Sequence, residues 1–200
     1  MKTQIFILLI LPAAVTVSFF LHWLTIKHIP KPEDRLPLCR GAYIAFSFQL
    51  LLYSWVLFTL LMSKSPAFPV FIPLGMLFSF FGDYFNLQFP FMKRRCPEPV
   101  FLGILCFSAA QIFYILGFLE IIPLKELISG GSFYPLLAVL LIVPALLFRL
   151  RVYNKERPKT VMYGAFFYGF ILGAMAATAI SAALARGRSE EHTSELQSRI

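Results

Sequence analysis

Charge is what this 200-residue sequence has least of. Asp, Glu, Lys and Arg together make up 14% of it, against about a quarter in an average soluble domain. Acid is scarcer than base, with ten Asp and Glu against 18 Lys and Arg. Cysteine is also scarce. Cys39, Cys96 and Cys106 are odd in number and lack ligand spacing, which excludes a disulfide framework. His22, His28 and His192 form no metal motif, so no metal and no cofactor are expected. In place of charge stand 58% hydrophobic residues, 23 of them Phe, and a mean hydropathy of +0.75. A soluble domain does not carry so much apolar surface, and a disordered chain carries more charge. The composition is that of an all-α, multi-pass membrane protein whose first partners are membrane lipids. The +8 net charge is no sign of nucleic acid, because basic residues belong where loops meet lipid headgroups.

The C-terminus departs from this composition. Polar and acidic residues begin abruptly after Ala185, and Arg188 to Ser198 reads as a sequencing-library adapter translated in frame. Residues 188–200 are therefore set aside from fold reasoning as an artefactual tail, leaving a transmembrane domain over 1–187. On this reading the natural protein continues past about residue 187.

A membrane-spanning helix needs about 20 mostly apolar residues. Six stretches meet that need: Gln4–Leu24, Gly41–Met62, Phe68–Phe89, Val100–Ile122, Ser132–Leu150 and Val161–Ala185. None alternates as barrel strands do, and helices satisfy their own backbone hydrogen bonds in lipid, so a helical bundle of six spans is expected. The first stretch lacks a clear small-residue cleavage site and reads as a retained span. Lys27, Lys31, Arg35 and Arg40 lie between the first two stretches, Lys93, Arg94 and Arg95 between the third and fourth, and Arg149, Arg151, Lys155, Arg157 and Lys159 between the last two. The opposite connections hold only Lys64 and Lys125. The positive-inside rule makes the three basic connections cytoplasmic and the N-terminus external.

A carboxylate in mid-span costs about 2.5–3.5 kcal/mol on insertion scales, so each one is a functional candidate. Of the seven acidic residues outside the tail, Asp83 alone lies well within a stretch. Gly75, Ser79 and Gly82 fall at i, i+4 and i+7 and form a small-residue stripe. Asp83 adjoins this stripe, four residues beyond Ser79, and is expected to face the bundle interior. A carboxyl group withdrawn from water holds its proton near neutral pH, as a general acid must. The bland alternative is an interhelical polar contact. The next stretch presents Gly103, Phe107, Ala110, Gln111 and Tyr114 along one helical face. Its Gln111 amide must find a partner, either another helix or a substrate. Gln49 and Tyr53 read as helix–helix contacts, and so do Gly169 and Gly173, which Ala177 and Ser181 continue.

Gly-x-x-x-Ser-x-x-Gly-Asp at Gly75, Ser79, Gly82 and Asp83, followed by Gly103, Phe107, Ala110 and Tyr114 on the next helix, resembles the YhhN lysoplasmalogenase family. The similarity is good over about residues 70–120 and elsewhere rests on the pattern of spans. It implies an eight-span bundle, of which six spans are present here, and for some members cleavage of the vinyl-ether bond of lysoplasmalogens to a fatty aldehyde and a glycerophospho-headgroup. It also implies a lysophospholipid substrate, no cofactor, and a bacterial inner (cytoplasmic) membrane as location. In these terms Asp83 is the catalytic acid; Ser79, Gln111 and Tyr114 bind substrate or water; and Gly75, Gly82, Gly103, Gly169 and Gly173 pack helices. A basic rim including Lys93–Arg95 suits the lysolipid phosphate. The sequence departs from the family at Gln111, where His is frequent, and in the longer, more basic connection Phe89–Pro99. Lys31-Pro32 is a poor counterpart of the family's Lys-Pro and is not carried over. The late Ser-Asp or Ser-Asn pair is absent, as expected if the tail replaces the last two spans. The rival class is a small transporter or lipid-binding scaffold, in which Asp83 couples protons or holds helices together. No oligomeric state follows from the sequence.

Overall fold

The computed structural model describes residues 13, 16–21, 23, 24, 27, 28, 32–61, 68–129, 131–153 and 158–198, and among them the fold is entirely helical. In chain order the helices are α1 (Pro32–Leu61), α2 (Phe68–Asn86), the short α3 (Pro90–Arg95), α4 (Pro99–Ile121), the short α5 (Leu124–Ser129), α6 (Phe133–Leu147) and α7 (Lys159–Ser198). Four segments of these helices are long and apolar enough to cross a bilayer: Pro37–Thr59, Pro99–Ile121, Phe133–Leu150 and Lys159–Ala185. A 23-residue segment such as Pro99–Ile121 is about 35 Å long, just over the roughly 30 Å hydrocarbon layer. The expected count of six is not reached among the described residues. The apolar part of α2 is the shorter Val70–Asn86, because the helix ends at a Leu87–Gln88 turn in which Gln88 has a φ of 49°. Most of the first stretch lies outside the described residues.

Several hydroxyls within the helices are reconciled with an apolar setting by bonding to their own backbone. Ser54 Oγ donates to the Leu51 carbonyl at 2.7 Å and Thr178 Oγ1 to the Ala174 carbonyl at 2.9 Å. The outward faces are apolar. α6 has no buried residue, and Val139, Ile142, Leu146 and Leu147 are all exposed. A helix apolar on every side and bare of protein contacts on these faces is suited to lipid.

The chain forms two compact units, residues 1–110 and 111–200, with α4 crossing the boundary. In the first unit α1 and α2 run antiparallel, joined by Phe48 against Phe80 at 5.8 Å between ring centroids. Phe46 of α1 meets Phe19 at 5.2 Å. In the second unit Ile122, Leu127 and Ala182 form a small core, with Phe118, Leu119, Phe133 and Ala185 packed on it. There α6 and α7 pack backbone to backbone. A Cβ at Gly173 would overlap the Leu140 carbonyl, and one at Gly169 would lie 3.1 Å from Pro144 Cβ. Going from Gly169 to Gly173 moves the neighbour from Pro144 back to Leu140, so the two helices are antiparallel. Pro144 has no N–H to give its helix, and α6 passes into a wide turn over Phe148–Val152. The Tyr153 N–H closes this turn on the Phe148 carbonyl at 2.8 Å. α7 has 40 residues, about 60 Å, and so exceeds any bilayer. It runs on through the polar tail to Ser198, whose residues include good helix formers and no Pro.

Candidate functional site

Asp83 lies in the last turn of α2, half-buried. Its carboxyl group is hydrogen-bonded by the hydroxyl of Ser47, from the neighbouring helix α1. Ser47 is only 5% exposed and belongs to the buried stripe of α1, which continues through Leu51 and Ser54 at i+4 and i+7. The carboxyl group is thus held by a second helix rather than hanging free on its own.

A close approach of α2 and α4 sets the other side of this region. Gly82, the residue before Asp83, lies against the ring of Phe107, and a Cβ there would come within 2.9 Å of three of its carbons. One turn away on α4, a Cβ at Gly103 would meet the Gly82 carbonyl oxygen at 3.1 Å and the Asn86 nitrogen at 3.4 Å. Glycine at both positions allows the two backbones to come together. Gly75 is also buried and Ser79 half-buried on α2. Aromatic rings complete the surroundings: Phe80 packs on Phe48, and Tyr84 on Phe85 at 5.8 Å.

The first unit therefore brings together Asp83, Gly82, Gly103 and Phe107, all singled out from the sequence, and adds Ser47 and Asn86, which were not. The sequence pointed to Gln49 and Tyr53 on α1 instead. Gln49 Nε2 donates to Ser18 Oγ at 3.4 Å, while its Oε1 is buried without a partner among the described residues. The signal for Ser47 was the same small-residue spacing that marked α2, with Ser47 and Ser54 seven residues apart. Gln111 and Tyr114 lie past the unit boundary on α4 and belong to the second unit. Gln111 is 8% exposed, and its Oε1 has no hydrogen-bond partner among the described residues. Tyr114 is half-buried. No cluster of His, Cys, Asp and Glu fit to hold a metal occurs among the described residues.

The resemblance suggested by the small-residue stripe and acid on α2 and the glycine face on α4 extends over most of the chain. The model of the YhhN family matches residues 41–196. The chain belongs to the YhhN family. Comparison with curated proteins and with solved structures gives no match. The YhhN match begins within α1, takes in Ser47, Asp83, Gly103 and Phe107, and includes residues 188–196 of the polar tail. Membership of the YhhN family and the long apolar helices make this an integral membrane protein of a family associated with lysoplasmalogenase activity.

Proposed function

We propose that this chain hydrolyses the vinyl-ether bond of lysoplasmalogens within the membrane, with Asp83 as the acid. The observation that carries the reading is a half-buried carboxyl group in the last turn of α2 held by a hydroxyl from a second helix, beside a glycine-lined helix crossing, in a family associated with this activity.

The chemistry needs little else. Asp83 delivers a proton to the vinyl carbon remote from oxygen, and the electron pair of the double bond forms the new C–H bond. The adjacent carbon becomes an oxocarbenium ion, which water captures with return of a proton to the carboxylate. The resulting hemiacetal breaks its C–O bond to the glycerol, giving a fatty aldehyde and a free glycerol hydroxyl. One water is consumed and the acid is regenerated. Ser47 fixes the carboxyl orientation, and the close packing at Gly82, Gly103 and Phe107 limits water near it. Ser79, one turn before Asp83 on α2, is assigned to substrate or water.

The test compares two lysolipids that differ only in the linkage at the first glycerol carbon. The full-length protein, reconstituted in liposomes, should release aldehyde from the vinyl ether and leave the saturated alkyl ether intact, since the latter has no double bond to protonate. Failure to release aldehyde from any vinyl-ether lysolipid would defeat the proposal and leave a transporter or scaffold.

A further inference from the structure

The connection between α2 and α4 is built as a small platform, and nothing in the proposed reaction uses it. Asp83 and Phe85 carbonyls accept from the Leu87 and Gln88 N–H groups at 2.9 and 3.2 Å, ending α2. The chain then turns through Gln88 at a φ of 49°. α3 follows, pinned to the protein by Met92, which is 6% exposed, and closed by the Cys96 N–H on the Met92 carbonyl at 2.8 Å. Phe91 points outward at 49% exposed. It stacks on Phe89 at 5.8 Å with 20° between the rings, and Tyr84 lies 5.9 and 6.1 Å from the rings of Phe89 and Phe91. Arg94 and Arg95 follow at once, both exposed. By sequence Phe89–Pro99 carries three basic residues and one acid, Glu98.

An aromatic cluster with Phe91 as its exposed ring, followed in sequence by two exposed guanidinium groups at the point where two apolar helices end, has the composition of the membrane–water boundary. The rings suit the glycerol backbone level of a lipid, and the planar guanidinium forks suit phosphate oxygens. A similar couple of ring and cation recurs at the other two basic connections, where Lys27 lies 5.3 Å over the Trp23 ring and Arg149 5.2 Å over Tyr153. We infer that the Phe89–Arg95 platform binds the headgroup of an intact anionic phospholipid, with the phosphate on Arg94 and Arg95 and the glycerol on Phe89 and Phe91. The local excess of positive charge selects an anionic over a zwitterionic headgroup. This assigns Arg94 and Arg95 to an intact lipid that is not turned over, in place of the lysolipid phosphate that the sequence suggested for them.

The experiment is native mass spectrometry of the full-length protein released from nanodiscs of mixed dioleoyl phosphatidylglycerol and phosphatidylcholine. Each Lys or Arg near an anionic surface contributes roughly five-fold to affinity, so the double variant R94Q/R95Q should retain phosphatidylglycerol about 25-fold less well. Its phosphatidylcholine retention should be unchanged, and R94K/R95K should lie between. Should R94Q/R95Q not fold, the wild-type protein titrated with sodium chloride makes the same distinction, since selective loss of phosphatidylglycerol is expected. Retention of phosphatidylglycerol unaltered by both the substitutions and the salt would overturn the inference, as would equal loss of both lipids. Displacement by inorganic phosphate alone would show a free-anion site, and displacement by lysoplasmalogen would return the platform to the substrate; either result would overturn it.

Discussion

Ser47 ties Asp83 to a second helix. Its hydroxyl, from a neighbouring helix, is hydrogen-bonded to the carboxyl group. Hydrogen bonds to a carboxylate contribute about 1.5–3 kcal/mol. Ser47→Ala should therefore lower kcat about ten-fold or more with little change in KM, while Ser47→Thr, which keeps the hydroxyl, should recover much of the loss. Steady-state aldehyde release from the three proteins checks this. Gly82 acts at the same scale through space rather than charge. A methyl group there would press on the Phe107 ring at 2.9 Å, so Gly82→Ala should cost about 1–3 kcal/mol in stability, as overpacking does. Adding Phe107→Leu should return part of that, because the smaller, more flexible side chain can give way. Thermal unfolding in detergent measures both. Asp83 and Gly82 were legible in the sequence because a carboxyl group and a glycine are conspicuous amid Phe and Leu. Ser47 was less so, since its spacing to Ser54 marks a packing stripe, and a serine in an apolar helix usually bonds its own backbone, as Ser54 does.

Among the elements, the two glycines of α7 should separate clearly. Gly173 faces a backbone carbonyl, that of Leu140, whereas Gly169 faces the Cβ of Pro144 at 3.1 Å. Backbone within a helix cannot move aside without displacing the whole element, so Gly173→Ala should destabilise the second unit well beyond Gly169→Ala, with chemical denaturation as the measure. The stripe itself was visible from spacing; which of its members is the more constrained depended on α6, and no pattern within α7 could reveal that. The end of α2 was less legible. The apolar run extends to Phe89, yet the helix stops at Asn86 and the chain passes through a left-handed Gln88. A residue other than glycine in that conformation costs about 1–2 kcal/mol. Gln88→Gly should accordingly raise the midpoint of thermal unfolding, as glycine carries no such penalty. α3 was likewise hidden, because six residues are too few for helical periodicity to show.

For the molecule taken entire, the membrane class was readable from composition, since scarce charge and abundant Phe leave few alternatives, and the all-α architecture from long apolar stretches without strand-like alternation. The asymmetry of basic residues predicts orientation, and the native Cys96, next to Arg95, reports on it. With Cys39 and Cys106 replaced by serine, a membrane-impermeant maleimide should label Cys96 from the cytoplasmic side only. Labelling from outside would reverse the topology. What composition and spacing could not supply was the partner of the acid, because that depended on how α1 lies against α2. Everything proposed for the chemistry turns on Asp83 as proton donor, and Asp83→Asn removes that proton and little else. Asparagine keeps the size and a hydrogen-bonding group for Ser47 but has no acidic proton. Aldehyde release from lysoplasmalogen by the reconstituted full-length variant should fall about 10²–10⁴-fold, as loss of a general acid does, with expression and membrane insertion near those of the wild type. Turnover by Asp83→Asn close to the wild-type rate would rule out the proton-donor role and leave Asp83 as an interhelical contact.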